Sequence, residues 1–200
     1  MNFLAHAYLS FSQPEILVGN MISDFVKGRQ KFTYSTGIQK GIMLHRQIDH
    51  FTDTHPATHE AKQYFKPAVG LYAGAFVDVI YDHYLALDDT LHTPQDLSHF
   101  AEKTYDVLEQ FEATLPQQFA RMLPFMRSQN WLYNYRTIQG IKNSFGGLVR
   151  RAVYLNNSLA AFDAFMLHYN ELKLSYDSFC PEVKSFAKEQ VLLLSSENES

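Results

Sequence analysis

Two segments place metal-type side chains one helical turn apart, His45-Arg46-Gln47-Ile48-Asp49 and Asp78-Val79-Ile80-Tyr81-Asp82-His83. On a helix rising about 1.5 Å per residue, His45 and Asp49 project from one face about 6 Å apart, as do Asp78 and Asp82. A single divalent ion can bridge either pair. The flanking residues Gly41-Ile42-Met43-Leu44 and Gly74-Ala75-Phe76-Val77 are apolar, so both helices are expected to be largely buried. Ionised carboxylates do not persist in such surroundings without a partner.

Across the first 83 residues the donors are His6, Asp24, His45, Asp49, Asp53, Asp78, Asp82 and His83, all oxygen or imidazole with no thiolate cluster. That mixture suits Mn²⁺, Mg²⁺ or Fe²⁺ better than a structural zinc site of cysteines. Each member also has a plainer reading. His45 with Asp49 could be an ordinary intrahelical pair on a solvated face. Asp78 with Asp82 resists that reading, because like charges one turn apart in an apolar helix repel unless a cation or a proton intervenes. His83 could be a core histidine bonded to a backbone carbonyl. His6, in Phe3-Leu4-Ala5-His6-Ala7-Tyr8, carries little weight as a ligand by itself, and Asp53 could equally serve a helix end through its side chain.

The elements that must hold these residues are helical throughout. Asn2 can cap a first helix running to Phe11, and Pro14 suits the first turn of a second that ends near Gly28. A third runs from Ser35 through the His45 segment to Thr54, where His55-Pro56 interrupts it. The pattern continues with helices over 57–65, 69–87, 95–115, 117–127, 130–155 with Gly146-Gly147 as a weak point, 158–176 and 181–194. The expected architecture is all-α, a single domain of about eight to ten helices over residues 1–194, with 195–200 a disordered tail.

Composition agrees with one core: 200 residues, 46% hydrophobic and 14% aromatic, are enough to fold as one domain. The lone Cys180 and the absence of a secretory-type leader point to a cytoplasmic protein. No apolar run reaches the length of a membrane helix, so no membrane insertion is expected. Charge is uneven: residues 113–162 hold Arg121, Arg127, Arg136, Lys142, Arg150 and Arg151 and no Asp or Glu, leaving the rest of this −4 chain at −10. Such a segment is a candidate docking face for an acidic partner. With no glycine-rich phosphate loop and no basic helix patterned for DNA, nucleotide-driven and nucleic-acid roles are not expected.

Asn2-Phe3-Leu4-Ala5-His6, Gly19-Asn20 with Asp24-Phe25-Val26-Lys27-Gly28, His45-Arg46-Gln47-Ile48-Asp49 with Thr52-Asp53, and Asp78-Val79-Ile80-Tyr81-Asp82-His83-Tyr84-Leu85 together closely resemble the acyl carrier protein phosphodiesterases. The resemblance extends through Asn130-Trp131-Leu132 and Tyr135-Arg136 over nearly the whole chain. It implies a cytoplasmic hydrolase that removes 4'-phosphopantetheine from holo acyl carrier protein, with Mn²⁺ favoured, on a fold akin to the HD-type metal phosphohydrolases. The adjacent His-Asp of that group is present only in reversed order, as Asp82-His83. The metal and catalytic set expected on this reading is Asp24, His45, Asp49, Asp78, Asp82 and His83. Arg46 is a candidate for a phosphate oxygen, and Arg136, Lys142, Arg150 and Arg151 for the face that meets the acidic carrier. The alternatives are hydrolysis of a nucleotide such as a guanosine polyphosphate by the same cluster, and a non-catalytic helical metal-binding or interaction protein.

Overall fold

The computed structural model describes residues 1–196. Among them the chain forms eleven α-helices and no strand, one helix more than the upper expectation. In order these are α1 (Phe3–Tyr8), α2 (Pro14–Ile22), α3 (Thr36–Thr54), α4 (Pro56–Val69), α5 (Ala73–Ala86), α6 (Pro94–Gln110), α7 (Gln117–Ser128), α8 (Trp131–Asn134), α9 (Ile138–Arg151), α10 (Leu159–Leu167) and α11 (Tyr169–Ser196).

Helix α5 runs through the middle, buried along nearly its whole length from Phe76 to Ala86, with α1, α4, α9 and α11 against it. Burial of each such aliphatic or aromatic side chain contributes roughly 1.5–3 kcal/mol. The closest approach is between α2 and α3. A Cβ on Gly19 would lie 2.1 Å from the Ile38 carbonyl oxygen, and one on Gly41 would lie 2.3 Å from that of Ile16. Only glycine lets these two backbones meet, and the meeting presses the start of the His45 segment against the end of α2.

Several boundaries differ from the periodicity. Helix α1 stops at Tyr8 because Phe11 and Ser12 turn the chain with φ of 49° and 57°. Helix α2 ends at Ile22, and the stretch to Thr33 is two pieces of tighter 3₁₀ helix, Ser23–Phe25 and Gly28–Thr33. The expected helix over 130–155 breaks at Tyr135–Thr137 rather than at Gly146-Gly147. There the Thr137 hydroxyl takes the Gly140 N–H at 2.9 Å and starts α9 afresh.

Helix α11 continues straight through Pro181, where a break was expected. Its buried residues Leu172, Tyr176, Phe179, Val183, Ala187, Val191 and Leu194 keep one stripe on the core, enough to outweigh the roughly 3 kcal/mol that an internal proline costs. Ser195 and Ser196, expected in a disordered tail, close that helix; residues 197–200 of the expected tail lie outside the described residues.

Candidate metal centre

His6 stands on α1, Asp24 in the 3₁₀ turn after α2, and His45 and Asp49 one turn apart on α3. The Nε2 atom of His6 lies 3.2 Å from Asp49 Oδ1, and that of His45 lies 3.1 Å from Asp49 Oδ2 and 3.2 Å from Asp24 Oδ1. The two imidazoles are stacked, with centroids 3.9 Å apart. Both are buried, whereas Asp24 is 75% exposed, so the cluster has one open side.

Asn20 sets both rings. Its side-chain nitrogen donates to the His6 carbonyl at 2.8 Å and to the Ser10 hydroxyl at 3.0 Å, so its side-chain oxygen faces His6 Nδ1 at 2.7 Å and accepts from it. Its backbone carbonyl, in the last turn of α2 where carbonyls lack intrahelical partners, accepts from His45 Nδ1 at 2.7 Å. Protons fixed at Nδ1 leave both Nε2 atoms able to present lone pairs towards Asp49. The Nε2 of His6 is buried, and the Asp49 oxygen 3.2 Å away is not placed to make a regular hydrogen bond with it. Two imidazole lone pairs aimed at carboxylate oxygens are mutually repulsive until a proton or a cation joins them.

The electrostatics express the same demand. Burial and the neighbouring His45 push His6 down to about 4. Burial also pulls on His45, but hydrogen bonds and attraction from Asp24 and Asp49 overrule it and raise His45 to about 9. Asp49 is held well below the ordinary carboxylate range, because His45, His6 and the Met1 ammonium outweigh its burial. Asp24 is lowered by its hydrogen bond to His45. A proton on His45 thus does what a bound cation would do. His6, His45 and Asp49 offer ligand atoms within 4.8 Å of one another, and neutral imidazoles oriented through Nδ1 with adjoining carboxylates form a donor set that fits a divalent ion.

The remaining expected site residues are placed differently. Asp78 adjoins the cluster through Met1, whose ammonium lies 3.0 Å from Asp78 and 3.4 Å from Asp49. Asp82 is fully buried and accepts the backbone N–H groups of Leu4 at 2.7 Å and Ala5 at 3.2 Å. It anchors the first turn of α1 and thereby positions His6; burial, against the pull of those amides, pushes it up to about 7. His83 does not join the cluster. Its Nδ1 donates to the Tyr135 carbonyl at 2.7 Å and its Nε2 meets the Tyr169 hydroxyl at 2.9 Å, which uses both ring nitrogens in the core. Asp82 turns to the first turn of α1 and His83 to Tyr135 and Tyr169, so the two side chains have different partners in this structure.

A family model described as acyl carrier protein phosphodiesterase matches residues 1–183. The chain belongs to the acyl carrier protein phosphodiesterase family. It is similar to curated members of that name from Photorhabdus laumondii (32% identical, covering 90% of this chain and 92% of the relative). Similar too are those from Enterobacter sp. strain 638 (30%, covering 96% and 100%) and Yersinia enterocolitica (31%, covering 95% and 99%). No solved structure matches the chain.

Within this family member the expected basic face is only partly free. Arg127 is tied to Glu102, Asp106 and Glu109. Arg136 donates to the Tyr133 hydroxyl at 2.7 Å, and Lys142 lies over the Phe162 ring at 4.6 Å. Arg150 and Arg151 end α9, exposed, with no carboxylate in ion-pair reach among the described residues. Arg46 donates to the Val26 carbonyl at 3.2 Å, two residues beyond Asp24. Asp53 pairs with Lys62 at 2.7 Å, away from the histidines. Two residues outside the expected set stand within this cluster, His6 and Asn20. The signal for His6 was its place in an apolar helix; nothing in spacing alone tied it to His45.

Proposed function

We propose that this chain hydrolyses the phosphodiester of holo acyl carrier protein, giving apo carrier protein and 4'-phosphopantetheine. The printed names of its relatives give the reaction, and the observation that carries it to this molecule is the pair of Nε2 atoms converging on Asp49 beside an open side at Asp24. His6, His45, Asp49 and Asp24 would hold a divalent ion, with Mn²⁺ preferred for this donor set and Mg²⁺ or Fe²⁺ the other candidates. Such an ion would neutralise non-bridging phosphate oxygens and lower the pKa of an attacking water.

The chain's own contribution is orientation. Asn20 keeps protons on both Nδ1 atoms, Asp82 clamps α1 so that His6 faces α3, and the exposed Asp24 leaves room for a phosphodiester to approach. Water oxygen bonds to phosphorus, the bond from phosphorus to the carrier's serine oxygen breaks, and a proton passes to that serine. Arg150 and Arg151 at the end of α9, with Lys142 nearer its start and Arg136 just before it, serve as the face for the acidic carrier. A rearranged relative of the HD-type phosphohydrolases is the fold kinship this reading favours.

Purified protein incubated with holo carrier protein and Mn²⁺, and the carrier then weighed by mass spectrometry, tests the proposal. Loss of the phosphopantetheine mass supports it; an unchanged carrier with Mn²⁺, Mg²⁺ or Fe²⁺ overturns it.

A further inference from the structure

A cavity of about 260 Å³ opens between the start of α1 and helices α7, α8 and α9. The chain links it to the candidate metal centre: Asn2 and Phe3 line it, and Met1, just before them, places its ammonium 3.4 Å from Asp49 and 3.0 Å from Asp78. Its walls are mixed in character. Phe3 and Trp131 supply aromatic surface, and Asn134, Asn143 and Ser144 supply amide and hydroxyl groups. Among the described residues its only cations are Arg150 and Arg151, exposed at the end of α9, and no carboxylate lines it. Gly147 keeps one wall open, since a Cβ there would meet only the guanidinium end of Arg150, at 3.7 Å.

We propose that this cavity binds the pantetheine arm of the substrate. The inference rests on the reading of the chain as a carrier protein phosphodiesterase. The arm is a neutral chain in which a branched dimethyl carbon and methylenes alternate with a hydroxyl and two amides. Those groups suit a cavity that offers both aromatic surface and Asn and Ser side chains, which can donate to and accept from an amide. Arginines confined to the rim leave the interior uncharged, as a neutral arm requires. The phosphate at the arm's end then lies towards the Met1 side, beside Asp49. Catalytic power over the natural substrate would come partly from this remote contact, which holds the phosphodiester in place.

Trp131 is the only tryptophan in the chain and lines the cavity, so its fluorescence reports occupancy directly. The experiment titrates the full chain with pantetheine, which lacks the phosphate, and follows Trp131 emission. Wild type and Gly146→Leu, whose position does not line the cavity, are expected to show the same saturable change. Gly147→Leu, which fills the cavity from a helical position that favours leucine over glycine, is expected to weaken binding at least tenfold. Asn143→Leu, at an exposed site that tolerates substitution, is expected to weaken it likewise and serves if the glycine variant does not fold. No saturable response in wild type, or equal affinity in a folded cavity variant, overturns the inference. Carrier hydrolysis without a pantetheine response defeats this site alone, whereas a pantetheine response without hydrolysis defeats the proposed reaction and leaves the cavity standing.

Discussion

Asn20 sets two histidines with one residue, the first through its side-chain amide and the second through its backbone carbonyl. Replacing it with alanine removes only the first contact. Asn20→Ala is therefore expected to weaken Mn²⁺ binding by about 10–100-fold, the usual effect of losing a group that orients a metal-ligating histidine. Calorimetric titration checks this, and undiminished affinity would separate His6 from the ion.

A second consequence follows from His45. Its pKa, raised to about 9, keeps it protonated at pH 7 in the metal-free protein, so an incoming ion must displace that proton. Mn²⁺ binding at pH 7 should release about one proton, and affinity should rise about tenfold per pH unit until about pH 9. Titrations in two buffers of different ionisation enthalpy measure the release. The His45–Asp49 relation was legible in the sequence because both stand on one helix at a fixed spacing. The His6 relation was not, because its partners come from other helices and a single histidine on a short helix has no period to betray it.

At the scale of elements, the site depends on how closely α2 and α3 cross. Gly41→Ala puts a methyl 2.3 Å from the Ile16 carbonyl oxygen, so the helices must part and His45 must leave the Asn20 carbonyl. The variant is expected to lose about 1–3 kcal/mol of stability or more. Its Mn²⁺ affinity is expected to fall with it, as paired thermal melts and metal titrations would record. Stability lost at unchanged affinity would mean that the crossing does not position His45.

The helices themselves were largely readable from apolar periodicity and from the Asn2 cap, whose side chain accepts the Phe3 N–H; the caps at Ser35 and Thr93 became visible only in the fold. Breaks were harder. Pro181 and the Gly146-Gly147 pair look like interruptions locally, but core burial of Val183 and Ala187 on one side and Phe145 on the other holds the helices through them. The pair Asp82 and His83 was legible by type but not by partner, for a related reason. Their residue types suggest chemistry, whereas their central helix uses one to cap α1 and the other to join Tyr135 and Tyr169.

For the whole molecule, the question is how an acidic protein substrate finds the centre. Charge along the chain made a basic segment visible, but only the fold shows that Arg127 is neutralised by three carboxylates while Arg150 and Arg151 stand exposed at the cavity mouth. Reversing both, as Arg150→Glu with Arg151→Glu, should raise the KM for holo carrier protein several-fold at low salt. The difference should shrink as ionic strength rises, since rim charges steer encounter and are screened. An unchanged KM at low salt removes those arginines from docking.

We propose that His6, His45, Asp49 and Asp24 form the centre that cleaves the carrier's phosphodiester. The most direct test is the initial rate of holo-to-apo conversion, read by mass spectrometry in Mn²⁺, for wild type and for a folded His6→Ala variant. Wild type is expected to convert the carrier efficiently, and the variant to lose on the order of 100-fold or more of that rate. A His6→Ala protein that converts the carrier at the wild-type rate would contradict this proposal.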